Sequence, residues 1–464
     1  MSKNSEIENC DSNDSNNEVQ APDKPLCITV VGAGLAGCEA AYQISRFGIN
    51  VKLIEMKPRE FSPAHHFSKF AELVCSNSLK ANRIESACGL LKEEMRHIGS
   101  LLLEAAQNTM LPAGGALAVD RESFSNYITE AIKQNPLIEI VECTVNEIPD
   151  DPCVIIATGP LTQGGLFEDI QKTVGSDNLY FFDAAAPIVM TETIDMDIAF
   201  KQSRYQRGGD DYINCPMNKE EYKKFWEELV NAQVAPVHEF ESGAIFEGCM
   251  PIEIMAQRGE DTIRFGPMKP VGLIDPRTGN EPYACVQLRQ DDHSASMYNL
   301  VGFQTRLKFG EQERVFRMIP GLENVQFARF GVMHRNTYIK SPGLLNEAYQ
   351  SIKNPKLFFA GQITGVEGYV ESMSSGMMAG INASLFMKNI DEKFVLPTST
   401  LTGALSHYIS DINVKHFQPM SANFGIVDQL DRRIRKKEER YHEIALKALD
   451  IVDIKKEYLK SFIK

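Results

Sequence analysis

A glycine turn set between an apolar run and a helix constrains this chain more than any other feature. The stretch Ile28-Thr29-Val30-Val31-Gly32-Ala33-Gly34-Leu35-Ala36-Gly37-Cys38-Glu39 carries the spacing G-x-G-x-x-G. Gly32 allows the tight turn, Gly34 lets backbone approach a pyrophosphate, and Gly37 lets helix pack on strand. Ala33, Leu35 and Ala36 complete the cradle. The first N–H groups of the helix point at the phosphates, where the helix dipole favours negative charge. Glu55 stands 18 positions after Gly37 and closes a second apolar run, Val51-Lys52-Leu53-Ile54. A carboxylate there accepts hydrogen bonds from ribose hydroxyls and disfavours a phosphorylated ribose.

Two later runs repeat the strand signature. Val154-Ile155-Ile156-Ala157-Thr158-Gly159 and Leu357-Phe358-Phe359-Ala360-Gly361-Gln362 are short, apolar and end in small residues. Parallel strands look like this where a ligand crosses their carboxyl ends. Gly361 and Gln362 are therefore candidate cofactor contacts. Gly365–Tyr369 leads into a helical run rich in small residues, expected from Ser372 to Leu385, whose N-terminus would face the same cofactor. One dinucleotide fingerprint with late partner strands suits FAD held extended. A simple NAD dehydrogenase leaves the late segment without a role.

The expected fold is α/β: a Rossmann-like, glutathione-reductase-like FAD-binding domain, discontinuous, with an inserted α+β domain. The expected segments are an acidic disordered tail (1–24), the first part of the FAD-binding domain (25–184), the insertion (185–325), the second part (326–396) and a C-terminal helical segment (397–464). The tail carries six acids against two lysines and almost no apolar residues. Helical periodicity is expected through Cys88–Leu103 and over Glu122–Gln134.

The net charge of -14 argues against broad, non-specific nucleic-acid binding, so any RNA contact must be a local basic patch. Arg432, Arg433, Arg435, Lys436, Lys437 and Arg440 form one such cluster, expected on a charged terminal helix. It is either an RNA contact or a solvated face. Ten scattered cysteines without C-x-x-C read as reduced thiols of a cytoplasmic protein, and no metal site is expected. No apolar run approaches the ~20 residues of a membrane span, and the polar, acidic start resembles no signal or transit peptide.

Several stretches taken together resemble one family. They are the Gly32–Gly37 turn, Glu72–Leu79 (Glu-Leu-Val-Cys-Ser-Asn-Ser-Leu), Cys88–Arg96, Pro112–Arg121, Phe246-Glu247-Gly248-Cys249-Met250-Pro251, Gly331–Thr337 and Gly361–Asn382. The likeness is to the folate- and FAD-dependent tRNA (uracil-5-)-methyltransferases, and runs from Leu26 to the C-terminal helix. The larger glucose-inhibited-division type flavoprotein shares the flavin frame but lacks the Phe-Glu-Gly-Cys stretch. Gln290–Ser296 departs from the family's pattern.

The resemblance implies transfer of a methylene group from 5,10-methylenetetrahydrofolate to carbon 5 of the T-loop uridine of tRNA. Reduced FAD would supply the electrons and NAD(P)H would recharge it. Alternatives are the same chemistry on ribosomal RNA, a wobble-uridine modifier, or a flavin electron-transfer scaffold. Uracil carbon 5 is a poor nucleophile until a thiolate adds at carbon 6, and a base must later remove the carbon 5 proton. The resemblance assigns Cys249 as the carbon 6 nucleophile and Cys75 as a second functional thiol, at the flavin or as the base. His334 and Arg335 are candidate substrate contacts: an imidazole can stack on a pterin, and an arginine can bind a folate carboxylate or a phosphate. A structural hydrogen-bonded histidine is the alternative. Tyr369 either stacks on the same plane or packs.

Overall fold

The computed structural model describes residues 25–175, 179–206, 209–235, 250–415, 417–430 and 432–463. The expected tail (1–24) and Cys249 lie outside the described residues.

The apolar run at the N-terminal side becomes strand β1 (Cys27–Val31), buried from Ile28 onward. Helix α1 (Leu35–Arg46) follows the glycine turn and stops at Phe47, where Gly48 adopts φ +70°. Strands β2 (Asn50–Glu55), β3 (Ile138–Glu142), β4 (Val154–Ile156) and β5 (Leu357–Phe359) complete a five-stranded sheet of order β5-β4-β1-β2-β3. Every pair in it is parallel. The chain leaves β1 for β2 on one side and returns as β4 on the other. A crevice therefore opens at the carboxyl ends of β1 and β4, where α/β sheets bind ligands.

Helix α2 (Tyr369–Met387) is buried along nearly all its length, so it carries apolar and small residues on every side. It crosses α1 at close range. A Cβ on Gly376 would lie 2.2 Å from the Ala36 carbonyl oxygen, and one on Gly380 would lie 2.7 Å from that of Ala40. Only glycine permits that approach.

The second unit is a six-stranded antiparallel sheet. Its order is Phe200–Lys201, Tyr212–Met217, Ala284–Gln290, Met297–Leu300, Ile188–Met190, Phe327–Arg329. The last strand lies past residue 325. Helices Lys219–Asn231 and Phe309–Phe316 pack on this sheet around Phe225, Phe303 and Phe316. A two-stranded ribbon, Leu179–Ala184 with Met333–Tyr338, joins the two units.

Three expectations are corrected. The periodic run Cys88–Leu103 is two helices, Ala87–Ile98 and Leu101–Asn108. Gly99 turns left-handed (φ +105°) between them and the Ser100 side chain caps the second. Helix α2 starts at Tyr369 rather than Ser372, because Gly368 supplies the break. The terminal helix is Lys437–Lys460, so Arg432–Lys436 precede it instead of lying on its face.

Candidate functional site

The glycine turn is fixed from both flanks. Gly32 (φ +100°) donates its N–H to the Ile54 carbonyl at 2.7 Å. A Cβ there would meet the Ala157 carbonyl oxygen at 2.7 Å, and one on Gly37 would meet the Gly32 oxygen at 1.7 Å. A Cβ on Gly34 would meet nothing within 4 Å. The turn is thus closed toward the protein and open on the side where a phosphate approaches. Gly34 also heads α1 without any side-chain cap, which leaves first-turn N–H groups for an anion.

Glu55 is buried at the end of β2. Its two oxygens accept the N–H of Ala33 (2.6 Å) and of Lys57 (3.1 Å). A carboxylate has about four lone-pair sites, so acceptor capacity remains for a ribose. Across the crevice, Gly361 (φ +84°) donates to Ser375 Oγ at 2.7 Å, and a Cβ on it would lie 3.1 Å from the Ala36 methyl. Gln362 donates its amide to Glu367. Gly368 opens α2, again with no side-chain cap. Two uncapped helix N-termini, a carboxylate at a strand end and an open glycine face fit an extended dinucleotide.

The Glu72–Leu79 segment lies against the start of α2. Glu72 begins it as a buried anchor, accepting the N–H of His66 (2.8 Å) and Phe67 (3.1 Å). The N–H groups of Cys75 (2.6 Å) and Ser76 (3.1 Å) donate to the Tyr369 hydroxyl oxygen. Burial pushes that hydroxyl well above its usual pKa, keeping it neutral. Tyr369 is therefore a brace for the Cys75 backbone through its oxygen.

Three guanidinium groups hold the other side of the loop. Arg121 donates to the Leu73 carbonyl, Arg329 to that of Val74 at 2.7 Å, and Arg289 to Ser76 Oγ at 2.7 Å and Asn77 Oδ1 at 3.0 Å. Asn77 in turn donates to the Gln290 carbonyl at 2.9 Å. Asp291 pairs with Arg121 at 3.1 Å, both side chains under a tenth exposed. His293 donates its N–H to Asp120 at 2.9 Å, and Asp292 ties up Ser294, Ser296 and the Met297 N–H. The 290–296 stretch is a strap that fastens the inserted sheet to the cofactor domain, next to the loop that carries Cys75.

Among the described cysteines, burial separates structural thiols from accessible ones. It pushes Cys88 up to about 11, and Cys153 and Cys285 up to about 12, while Cys38 and Cys215 are raised as well. Cys75 is part-exposed instead, in the guanidinium cage. His334 and Arg335 lie on the joining ribbon, opposite Asp183 and Phe182; their side chains lie outside what the structure describes. The segment that carries Cys249 is fastened at both described ends to one stretch. Ala235 donates its N–H to the Arg306 carbonyl (2.9 Å) and Ile252 to that of Gln304 (2.7 Å).

The residues missed by sequence reasoning are Arg289, Asp291 and Arg329. Arg289 and Asp291 lie at and just past the end of one strand, but nothing local shows that Arg289 reaches Ser76, 213 positions earlier, or that Asp291 pairs with Arg121, 170 positions earlier. The basic cluster lines a cavity of about 680 Å³ formed by Gln429, Leu430, Arg432, Arg433, Ile434, Arg435 and Arg440. Arg432 pairs with Glu443 at 3.0 Å. Among the described residues, no helix is long and apolar enough to cross a membrane.

Fold and crevice together define a dinucleotide-binding α/β protein with an antiparallel insertion strapped onto its ligand crevice. The sequence profile of the glucose inhibited division protein A family matches residues 27–391. The methylenetetrahydrofolate--tRNA-(uracil-5-)-methyltransferase TrmFO of Acetivibrio thermocellus is 60% identical over 435 residues, covering 94% of this chain and 99% of that protein. Its counterparts in Pelotomaculum thermopropionicum and Enterococcus faecalis are 58% and 57% identical, covering 93% and 91% of this chain and 99% and 97% of theirs. The chain belongs to this family of folate-dependent tRNA (uracil-5-)-methyltransferases. The solved structure of Aquifex aeolicus GidA aligns with a TM-score of 0.67 at 16% identity, over 94% of this chain and 75% of that one, a likeness of fold.

Proposed function

We propose that this chain methylates carbon 5 of the T-loop uridine in tRNA, with 5,10-methylenetetrahydrofolate as one-carbon donor, FAD as bound cofactor and NAD(P)H as reductant, in the cytoplasm. The observation that carries the reading is the placement of Cys75. Tyr369, in the first turn of α2, holds its backbone at the mouth of a crevice built to take a dinucleotide.

The Gly32–Gly37 turn, Glu55 and the Gly361–Gln362 corner would hold the FAD. When reduced, it supplies the two electrons that convert a methylene to a methyl group. The remaining steps belong to the chain's own side chains. The Cys249 thiolate adds to carbon 6 of uracil, and the electron pair of the 5,6 double bond moves to the carbon 4 oxygen. Carbon 5 then bonds to the one-carbon unit, and Cys75 is the candidate base that takes the carbon 5 proton. Loss of that proton breaks the bond from the one-carbon unit to the folate nitrogen and leaves an exocyclic methylene on carbon 5; once this has taken up a hydride equivalent as methyl, the resulting enolate re-forms the 5,6 double bond and expels the Cys249 sulfur. His334 and Arg335 would bind the folate, and the Arg432–Arg440 cavity would take RNA phosphates.

The test is transfer of label from methylenetetrahydrofolate to unmodified tRNA by the NAD(P)H-reduced protein. Label in 5-methyluridine of tRNA is expected. Label confined to ribosomal RNA, or none despite bound and reducible flavin, overturns the reading.

A further inference from the structure

The guanidinium cage around Cys75 has an excess of positive charge. Arg121 and Arg289 are under a tenth exposed, and the Arg329 Nε is buried without a hydrogen-bond partner. Among the described residues, Asp291 is a carboxylate that acts on all three, and Cys75 also acts on each. Among the described residues, Tyr369 and Tyr212 also face the cage, and both are kept neutral by burial. Buried like charges persist only with counter-charge or hydrogen bonds. Arg121 and Arg289 are hydrogen-bonded in full view of the loop, at Leu73, Ser76 and Asn77. Among the described residues, Arg329 bonds the carbonyl of Val74, the residue before Cys75, and retains a buried donor at Nε.

We propose that Arg289 and Arg329, delivered by the inserted sheet, are positioning residues that hold Cys75 as a thiolate. The cysteine is thereby reactive only while the insertion is strapped down through Asp291 and Arg121. Arg289 is the penultimate residue of the strand Ala284–Gln290 and Arg329 ends the strand Phe327–Arg329, so both belong to the insertion. A thiolate is favoured next to fixed guanidinium groups, and it is the form that can accept a proton or attack. The inference rests on the functional role given to Cys75 above, but its test does not use methyl transfer.

The experiment is alkylation of the flavin-loaded protein by iodoacetamide, followed peptide by peptide by mass spectrometry. Cys75 in the unaltered protein is expected to react at pH 6 within about threefold of its rate at pH 8. An ordinary thiol slows by about 80-fold over that interval. Cys27, whose surface is exposed while partial desolvation and the Asp151 and Glu139 carboxylates raise its thiol, serves as the internal reference that slows in the ordinary way. Arg329→Gln is expected to lower the Cys75 rate at pH 6 about tenfold, one pH unit of lost thiolate, and Arg329→Lys to restore most of it. An ordinary pH dependence of Cys75 in the unaltered protein overturns the proposal whatever the variants do. So does a well-folded Arg329→Gln with unchanged alkylation. If alkylation behaves as expected while Cys75→Ala still methylates tRNA, the functional role of Cys75 fails and the cage stands.

Discussion

The Gly32–Gly37 turn and the Glu72–Leu79 loop sit against the same helix, α2, yet they are held in opposite ways. The turn is held by its own unit. Its partners are Ile54 and Glu55 at the end of the next strand, the Gly32 oxygen beneath Gly37, and the strand end at Ala157. The loop is held by residues from far along the chain, with separations of 48 to Arg121, 213 to Arg289, 255 to Arg329 and 294 to Tyr369. A cofactor that binds throughout the catalytic cycle suits a rigid local cradle. A thiol that must act only with substrate seated suits a loop whose geometry depends on a second domain.

The sharpest break in this comparison is at the proposed nucleophile. Cys249→Ala is expected to keep its flavin spectrum and to lose tRNA methylation by on the order of 10³-fold or more. Wild-type turnover in that variant would remove the nucleophile assignment.

Within the turn, two glycines should part company. Gly37→Ala drives a Cβ to 1.7 Å from the Gly32 oxygen, so it should cost at least about 1–3 kcal/mol of stability. Gly34→Ala has open space around its Cβ. Its melting temperature without cofactor should be unchanged while flavin affinity falls. Equal melting losses in both variants would show that Gly34 serves packing and not a ligand.

For the loop, Asp291→Asn should destabilise the protein by about 3 kcal/mol in denaturant unfolding, because it leaves the buried Arg121 charge uncompensated. Flavin affinity should be altered far less, since the turn has its own supports. Parallel loss of both would mean that the two regions are one cooperative unit.

The smallest expected effect lies at the C-terminal cavity. Arg433→Ala and Arg435→Ala should each weaken tRNA binding severalfold and reduce the salt slope by about one contact. Melting temperature should be unchanged, and an unchanged salt slope would place the RNA elsewhere.

The same contrast decides how much could be read from sequence. The turn, the Glu55 acid and the late Gly361–Gln362 corner were legible because each is a short pattern with a local physical cause. Strand runs at 154 and 357 were legible for the same reason. The break at Gly99 was hidden, because apolar periodicity continues across it while the backbone turns left-handed. The basic cluster was legible as charge but not as a cavity, since Arg432, Arg433 and Arg435 lie on the chain entering the helix and only Arg440 lies on it. Arg289, Asp291 and Arg329 were invisible because their meaning is a contact across 170 to 255 positions. Resemblance to a family supplied Cys75 and Cys249, and with ten cysteines present composition could not.

The central claim is that a thiol of this chain adds to a uracil ring beside a bound flavin. The most direct test offers the reduced protein and methylenetetrahydrofolate a tRNA carrying 5-fluorouridine at the T-loop position. Fluorine replaces the carbon 5 proton, so the base has nothing to remove and the sulfur cannot leave. The account predicts a covalent protein–RNA complex that survives denaturation and maps by mass spectrometry to Cys249. A complex mapped to another residue, or none under conditions where ordinary tRNA is methylated, would contradict it.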